Sequence, residues 1–254
     1  MDDQRVLVTA GAAGIGREIV RAFAAGGAAV FVCDLDAKGL RALAEEIAGL
    51  KTGVCDVSRR SDIERMVGEA IQALGGLDVL VNNAGIAGPT APVEDMDPDE
   101  WEKVIQVDLN GTFNVTRLAI PHLKKSKAGV IINMSSVAGR FGYANRSPYC
   151  TTKWGIIGFT KTLSIELGKH GIRANAILPG AVDGPRIQRV FEGRAAQSGK
   201  SLDEIKQGAM AVQSIKRLVD PRDIAALAVF LASDAAKSIS GQMLPIDNDM
   251  QQAS

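Results

Sequence analysis

The sequence predicts an α/β fold in which one doubly wound sheet of seven parallel strands is covered by helices on both faces. Short apolar runs rich in β-branched residues alternate with longer amphipathic segments rich in Ala and Leu. The runs are apolar throughout and do not alternate with polar residues, which is typical of strands buried on both faces. Their regular alternation with helices indicates βαβ units with right-handed crossovers.

The predicted strands span residues 6–9, 29–33, 53–55, 79–81, 130–134, 174–178 and 243–246. Helical patterns follow the first three strands and run through Ala25, through Gly49 and over residues 60–74. At 254 residues and 46% apolar residues, the chain is expected to form a single domain over residues 1–254. A stretch at about residues 183–213, with Gly, Pro and several charges, predicts a loop with one or two helices over a substrate site.

Composition limits the classes of partner. Lys and Arg together number 29, as do Asp and Glu, and this balance argues against a nucleic-acid binder. The longest apolar run, residues 22–33, is too short for a membrane span. The N-terminus lacks a secretory pattern and the three cysteines are dispersed, so a cytoplasmic location with reduced thiols is expected. Only two histidines are present, and no metal site is expected.

A glycine-rich turn joins the first strand to the first helix. It reads TAGAAGIG and spans residues 9–16. Small residues let the backbone approach a pyrophosphate, and a helix N-terminus supplies free N–H groups and positive dipole. A plain tight turn has a similar sequence, so the turn alone does not decide the ligand.

An acidic residue, Asp34, ends the second predicted strand, about 18 residues after Gly16. A carboxylate at this position can accept the two hydroxyls of an adenosine ribose and would repel a 2′-phosphate. Helix N-capping is the competing interpretation of Asp34. Together, the turn and the acid favour NAD over NADP as cofactor.

A second group of polar residues lies in the middle of the chain. Ser136 lies at the carboxyl end of the segment VIINMSS, which contains the fifth predicted strand, and Tyr149 and Lys153 follow at a spacing of one helical turn. A tyrosine that acts as acid or base near neutral pH needs a pKa well below its usual value of about 10. An adjacent ammonium group lowers it.

In this combination the chain resembles the compact, roughly 250-residue branch of the short-chain dehydrogenase/reductase family. The resemblance covers essentially the whole chain and implies a Rossmann fold and hydride transfer between a secondary alcohol, or its ketone, and a nicotinamide. It also implies a homotetramer or a dimer. The family implies that Ser136 holds the substrate oxygen, that Tyr149 is the acid or base, and that Lys153 binds the nicotinamide ribose. The cofactor positions implied are Gly11, Gly14, Ile15 and Gly16 in the turn, Asp34 and Leu35 at the adenosine ribose, Asp56 and Val57 at the adenine, Asn83, Ala84 and Gly85 along the nucleotide, Tyr149 and Lys153 at the nicotinamide ribose, and Pro179, Gly180 and Val182 near the carboxamide.

The sequence departs from the family pattern at several positions. Ala10 replaces the first glycine of the turn, and Asp108 replaces an asparagine that helps to relay protons. Asn110 is the nearby alternative, but two residues along a helix is about 200°, so it should face away and Asp108 is favoured. Gly184 replaces a threonine, and Asn248 follows Asp247 where the family has glycine.

The substrate pocket is expected to be lined by residues 87–91, 140–146 and 182–194. The predicted wall of the pocket is rich in arginine, and Arg140, Arg146 and Arg186 are candidates to hold an anionic or polyhydroxylated substrate. Solvated helix faces and subunit contacts are the competing interpretation. A 3-oxoacyl-thioester reductase shares this scaffold, although Asp34 argues against its usual NADP. A non-catalytic NAD-binding regulator is the alternative from another class, and the intact Ser, Tyr and Lys set counts against it.

Overall fold

The computed structural model describes residues 3–252 and contains seven strands and nine α-helices in this part of the chain. The strands are β1 (Arg5–Thr9), β2 (Ala29–Asp34), β3 (Lys51–Val54), β4 (Val79–Asn82), β5 (Val130–Met134), β6 (Arg173–Pro179) and β7 (Met243–Ile246). The helices are α1 (Gly14–Ala25), α2 (Ala37–Glu46), α3 (Arg60–Leu74), α4 (Pro98–Val104), α5 (Gly111–Leu123), α6 (Ser147–Gly168), α7 (Pro185–Ser198), α8 (Leu202–Ala211) and α9 (Pro221–Ala232).

The strands form one parallel sheet in the order β3-β2-β1-β4-β5-β6-β7. The predicted doubly wound, seven-stranded α/β fold is therefore confirmed. The chain builds outward from β1 to β3, returns to the other side of β1 with β4, and continues to β7. This reversal leaves a crevice at the carboxyl ends of β1 and β4, which is where sheets of this kind bind ligands.

Two apolar layers hold the helices to the sheet. One contains Val6, Val8 and Phe23 and joins the sheet to α1, α2 and α9. The other contains Leu7 and Ile131 and joins the sheet to α3, α5 and α6. Adjacent residues of β1 and β5 thus face opposite layers, which explains why these strands are apolar without alternation.

The observed bounds differ from the predicted ones mainly at the edge strand. β3 begins at Lys51 and ends at Val54, so Cys55 follows the strand, and α2 ends at Glu46 instead of Gly49. Lys51 and Thr52 are exposed because β3 is an edge strand, and this obscured its start in the sequence. The stretch predicted over residues 183–213 contains α7 and α8.

One local feature escaped prediction. The six residues Ile105–Asn110, between α4 and α5, are wound as a π-helix. Such wider turns inside a helix often occur at functional sites. Here the π-helical turn carries Asp108, which is fully buried.

Candidate active site

The glycine-rich turn brings the backbone of α1 to the crevice. A Cβ on Gly16 would lie 2.3 Å from the carbonyl oxygen of Ala10, and one on Gly11 would lie 2.4 Å from a Val32 methyl group. Neither position can therefore hold a larger residue without a shift of the turn. The N-cap of α1, Ala13, makes no side-chain capping bond, and the first turn has no acidic residue. The N–H groups at the start of α1 are thus left for a ligand.

Asp34 supports this turn from the end of β2. Its Oδ2 accepts a hydrogen bond from the N–H of Ala12 at 2.9 Å, and its Oδ1 accepts one from the N–H of Asp36 at 3.0 Å. Asp36, and not Asp34, caps α2, because its side chain accepts from the N–H groups of Lys38 and Gly39. The capping interpretation of Asp34 is therefore wrong.

The other residues predicted for the adenosine end lie at the same edge of the sheet. Leu35 is 66% exposed directly after Asp34. The Oδ1 of Asp56 accepts from the N–H and the hydroxyl of Ser58, and Val57 is buried beside Gly111. All four predicted adenosine residues lie outside the walls of the main cleft described below.

Asn83 is bound tightly to β1. Its side-chain amide donates to the carbonyl oxygens of Thr9 and Ala10, at 3.1 and 2.8 Å. The backbone N–H groups of Asn83 and Ala84 both donate to Oγ1 of Thr9 at 3.0 Å. Thr9, the first residue of the predicted turn, thus braces the crevice, a role that the sequence did not assign to it. Its position at the end of β1 was the available signal.

Ser136, Tyr149 and Lys153 converge at the carboxyl end of β5. Ser136 follows the strand, and its Oγ accepts from the N–H of Ala138 at 3.1 Å. Tyr149 and Lys153 lie one turn apart on α6, and the Lys153 ammonium is 5.3 Å from the centre of the Tyr149 ring. Lys153 is almost fully buried and donates to the carbonyl oxygen of Met134 at 3.3 Å.

The electrostatic surroundings favour the phenolate form of Tyr149. Burial raises the pKa of this phenol, but the positive charges of Arg186 and Lys153 and a hydrogen bond with Ser136 outweigh it, so the pKa of Tyr149 falls below its usual value. The negative charge of Asp108 acts in the opposite direction. Tyr143, the other tyrosine of the chain, has a pKa raised to about 12 by burial.

Asp108 reaches the Lys153 ammonium directly. The two side chains form a buried ion pair at 3.2 Å, and Oδ1 of Asp108 accepts from the N–H of Ile86 at 2.7 Å. Asn110, the alternative considered from the sequence, instead donates to Gln106 at the surface. The π-helical turn thus directs Asp108 toward α6.

The three candidate arginines have different surroundings. Arg146 is buried at the start of α6, with its guanidinium 5.0 Å from the centre of the Tyr149 ring and its Nη2 bonded to the carbonyl oxygen of Ala87. Arg186, on α7, lies 5.7 Å from the same ring centre and donates to the carbonyl oxygen of Gly85 at 3.1 Å. Arg140 lies outside the cleft walls and is 3.8 Å from Asp247.

A cleft of about 470 Å³ connects these features. It runs from the glycine-rich turn, past Gly85 and Ser136, to α7 and α8. Pro179, Gly180 and Val182 form part of its wall, and a Cβ on Gly180 would lie 2.8 Å from the Cα of Asp247. The cleft wall also contains four residues without a predicted role, of which the first two listed lie in the pocket-wall ranges expected from the sequence (140–146 and 182–194) and the last two do not. They are Tyr143, Phe191, Ala209 and Met250.

The donor set suits an adenine dinucleotide. The uncapped N–H groups at the start of α1 can bind a diphosphate, and the Asp34 carboxylate lies beside the glycine-rich turn. Lys153 and Tyr149 line the cleft. Within residues 3–252, no group of three or more His, Cys, Asp or Glu side chains is arranged to bind a metal ion. None of the helices in this range is long and apolar enough to cross a membrane.

The chain is similar to known proteins along nearly its whole length. Residues 10–250 match the family described as enoyl-(acyl carrier protein) reductase. The chain is 38% identical to L-fucose dehydrogenase of Bos taurus, over 94% of this chain and 86% of that protein. It is also 38% identical to D-beta-hydroxybutyrate dehydrogenase of Cupriavidus necator, over 97% of both chains. The crystal structure of a variant actinorhodin polyketide ketoreductase with NADPH superposes with a TM-score of 0.93, at 32% identity over 99% of both chains.

The fold, the cleft and these relatives define an oxidoreductase of the dehydrogenase and ketoreductase class, which uses a nicotinamide cofactor. The chain belongs to the short-chain dehydrogenase/reductase family. The resemblance noted in the sequence is therefore confirmed.

Proposed function

We propose that the protein transfers a hydride between a secondary alcohol, or its ketone, and NAD, with Tyr149 as the acid or base. The observation that carries this proposal is the convergence of Ser136, Tyr149 and Lys153, in surroundings that lower the pKa of Tyr149. The phenolate of such a tyrosine is accessible closer to neutral pH than that of a free tyrosine.

The cofactor would lie along the crevice. The N–H groups at the start of α1 would hold its diphosphate, Asp34 its adenosine ribose, and Lys153 its nicotinamide ribose. The bound nicotinamide supplies the acceptor for the hydride in oxidation and its donor in reduction.

The protein's own residues manage the proton and the substrate oxygen. In oxidation, the Tyr149 phenolate accepts the hydroxyl proton of the alcohol, and Ser136 donates a hydrogen bond to the same oxygen as it becomes a carbonyl. Lys153 keeps a positive charge near the phenolate, and Asp108 fixes the position of Lys153 through the 3.2 Å ion pair. In reduction, the phenol of Tyr149 returns the proton to the carbonyl oxygen.

The choice of NAD over NADP is supported by Asp34. Its carboxylate lies beside the turn and would repel a 2′-phosphate. Asp34→Asn keeps an oxygen for the N–H of Ala12 but removes the charge. This variant should raise kcat/KM with NADP relative to NAD, and an unchanged ratio would contradict the role of Asp34.

The general test is a screen of secondary alcohols and ketones, followed at the absorbance of the reduced nicotinamide with NAD and NADP in parallel. Oxidation of an alcohol class with NAD is the expected result. Activity with NADP alone, and with 3-oxoacyl thioesters only, would instead support the thioester-reductase alternative.

We also propose that the protein forms a homotetramer and is located in the cytoplasm. Large apolar side chains are exposed on α5 and α6, including Phe113, Trp154 and Ile165. Such a surface suits packing against a second copy. The three cysteines are free, which fits a reducing compartment. Analytical ultracentrifugation and cell fractionation test these two points.

A further inference from the structure

Three helices begin at the wall of the cleft, and no side chain of their caps or first turns offsets the partial positive charge of their N-termini. α1, α6 and α7 have no side-chain cap and no acidic residue in the first turn. α3 and α5 also lack a side-chain cap but do not begin at the cleft, whereas the other four α-helices of the described chain begin with a capping side chain. Their caps are Asp36 on α2, Asp97 on α4, Ser201 on α8 and Asp220 on α9. Because a helix N-terminus carries partial positive charge, the cleft collects three sites that attract anions.

The side chains of the cleft add to this positive charge. Its lining contains five cationic residues and one acidic residue, Asp183, among the residues that the structure describes. The cations are Arg146, Lys153, Arg186, Arg189 and Arg194. Asp108 offsets the charge of Lys153, and the cofactor diphosphate at α1 would offset part of the remainder. The end of the cleft formed by α6 and α7 therefore keeps an excess of positive charge.

Arg146 is the most strongly uncompensated of these groups. It is 5% exposed, it immediately precedes α6, and its Nε has no hydrogen-bond partner in the described chain. No carboxylate of residues 3–252 forms an ion pair with it. Burial lowers the pKa of this guanidinium, and the nearby charges of Arg194 and Arg186 lower it further, while Tyr149 acts against them. A buried cation at a helix N-terminus is costly unless an anion accompanies it.

We propose that this end of the cleft binds the carboxylate of the substrate, so that the protein acts on a small hydroxy acid and the corresponding oxo acid. The carboxylate lies between the N-termini of α6 and α7 and is held by Arg146 and Arg186. Planar guanidinium groups suit a carboxylate because both partners can form two parallel hydrogen bonds. This inference rests on the proposed function, since it assumes that the substrate hydroxyl meets Tyr149.

The position of the arginines limits the length of the substrate. The guanidinium carbons of Arg146 and Arg186 lie 5.0 and 5.7 Å from the centre of the Tyr149 ring. A carboxylate bound to them is therefore only a few bonds from the carbon that bears the reacting hydroxyl. A long acyl chain between the two groups would not fit this arrangement.

Matched pairs of substrates test the inference. We would compare 2-, 3- and 4-hydroxy acids with their methyl esters, which have the same reacting alcohol but no charge. The expected result is that kcat/KM for the acid exceeds that for the ester by at least about tenfold at one spacing. The ratio of acid to ester isolates carboxylate binding, because any effect of an arginine on Tyr149 is common to both substrates.

Variants assign the preference to the two arginines. Arg186→Gln, at an exposed position, should reduce the ratio of acid to ester at least about fivefold. Arg146→Gln should reduce it further, and Arg146→Lys should restore part of it. Arg117→Gln is the matched control, because Arg117 is exposed on α5 outside the cleft. An ester that equals the acid at every spacing, or a ratio unchanged in Arg186→Gln, would overturn the proposal.

A binding experiment separates this inference from the proposed function. The protein saturated with NADH is titrated by calorimetry with butanoate and with butanamide. Butanoate should bind more tightly, and Arg186→Gln should reduce the difference. If no alcohol or ketone reacts but butanoate still binds preferentially, the proposed function fails and the anion site stands. If neutral alcohols react and butanoate does not bind, only the anion site is overturned.

Discussion

The Oδ2 atom of Asp108 lies 3.2 Å from the Nζ atom of Lys153, and both side chains are almost completely removed from solvent. The carboxylate offsets part of the positive charge of Lys153 next to Tyr149. A second cation, Arg186, also lowers the pKa of Tyr149 from its usual value, and its influence is larger than that of Lys153. Lys153 and Arg186 thus both favour the phenolate form of Tyr149.

The charge of Asp108 should set the pH range of activity. Asp108→Asn keeps an oxygen for the N–H of Ile86 but removes the negative charge that raises the pKa of Tyr149. Because alcohol oxidation requires the phenolate, the rising limb of its pH profile should move to lower pH. Steady-state rates of oxidation across the pH range measure this shift. Asn110→Ala, next to Asp108 in sequence but bonded at the surface, should leave the limb in place.

Arg186 should have the opposite effect on the same profile. Removal of its charge in Arg186→Gln raises the pKa of Tyr149, so the rising limb should move to higher pH. A neutral alcohol is the appropriate substrate, because its binding does not depend on the arginine charge. A limb that stays in place, or moves to lower pH, would show that Arg186 does not act on Tyr149.

Ala10 adopts a backbone conformation that suits glycine. Its φ angle is 53°, and this left-handed region costs an alanine about 1–2 kcal/mol. Glycine at this position removes the strain. Its greater conformational freedom in the unfolded chain, however, lowers the free energy of unfolding by about 0.4–1 kcal/mol. Ala10→Gly should therefore raise the free energy of unfolding by about 0.5 kcal/mol, measured by urea denaturation. Ala22→Gly, inside α1, should lower it by about 1 kcal/mol.

Asp78 should link stability to acid pH. Burial raises the pKa of its carboxyl, but hydrogen bonds from Arg5 and Ser126 outweigh it and lower the pKa from 3.8 to about 2. At 1.36 kcal/mol per unit, the difference corresponds to about 2 kcal/mol. This contribution is complete above the unfolded pKa near 4 and is lost as the pH falls toward 2.

The prediction is that Asp78→Asn is less stable than the parent protein by about 2 kcal/mol at pH 6, and that the gap narrows below pH 4. Urea unfolding at a series of pH values between about 6 and 3 measures the gap. If the two proteins differ in free energy of unfolding by the same amount at every pH, the ionisation of Asp78 does not cause the difference.

The sheet and the ends of its strands were predictable because apolar runs and strand termini are local features of the sequence. β5 lies at its predicted bounds, and Ser136 follows it as expected. The positions of Asp34 at the end of β2 and of Tyr149 near the start of α6 were predictable in the same way. The start of β3 was missed because an edge strand exposes its first residues.

Features that depend on distant contacts could not be predicted. The π-helical turn around Asp108 is a property of the whole helix from α4 to α5 and its packing, and no local pattern identifies it. Tyr143 and Met250 meet in the cleft although they are 107 residues apart. The burial of Arg146 has no signal in the sequence, where an arginine before a helix is usually solvated.

The central claim is that Tyr149 carries the proton transfer in a nicotinamide-dependent reaction. The most direct test compares Tyr149→Phe with the parent protein in turnover and in NADH affinity. Turnover should fall by at least about a thousandfold while the affinity for NADH changes little, because the ring remains in place beside Lys153. The control is Tyr143→Phe. Because the pKa of Tyr143 is raised to about 12, this variant should retain most of the turnover. Near-normal turnover in Tyr149→Phe would contradict the account.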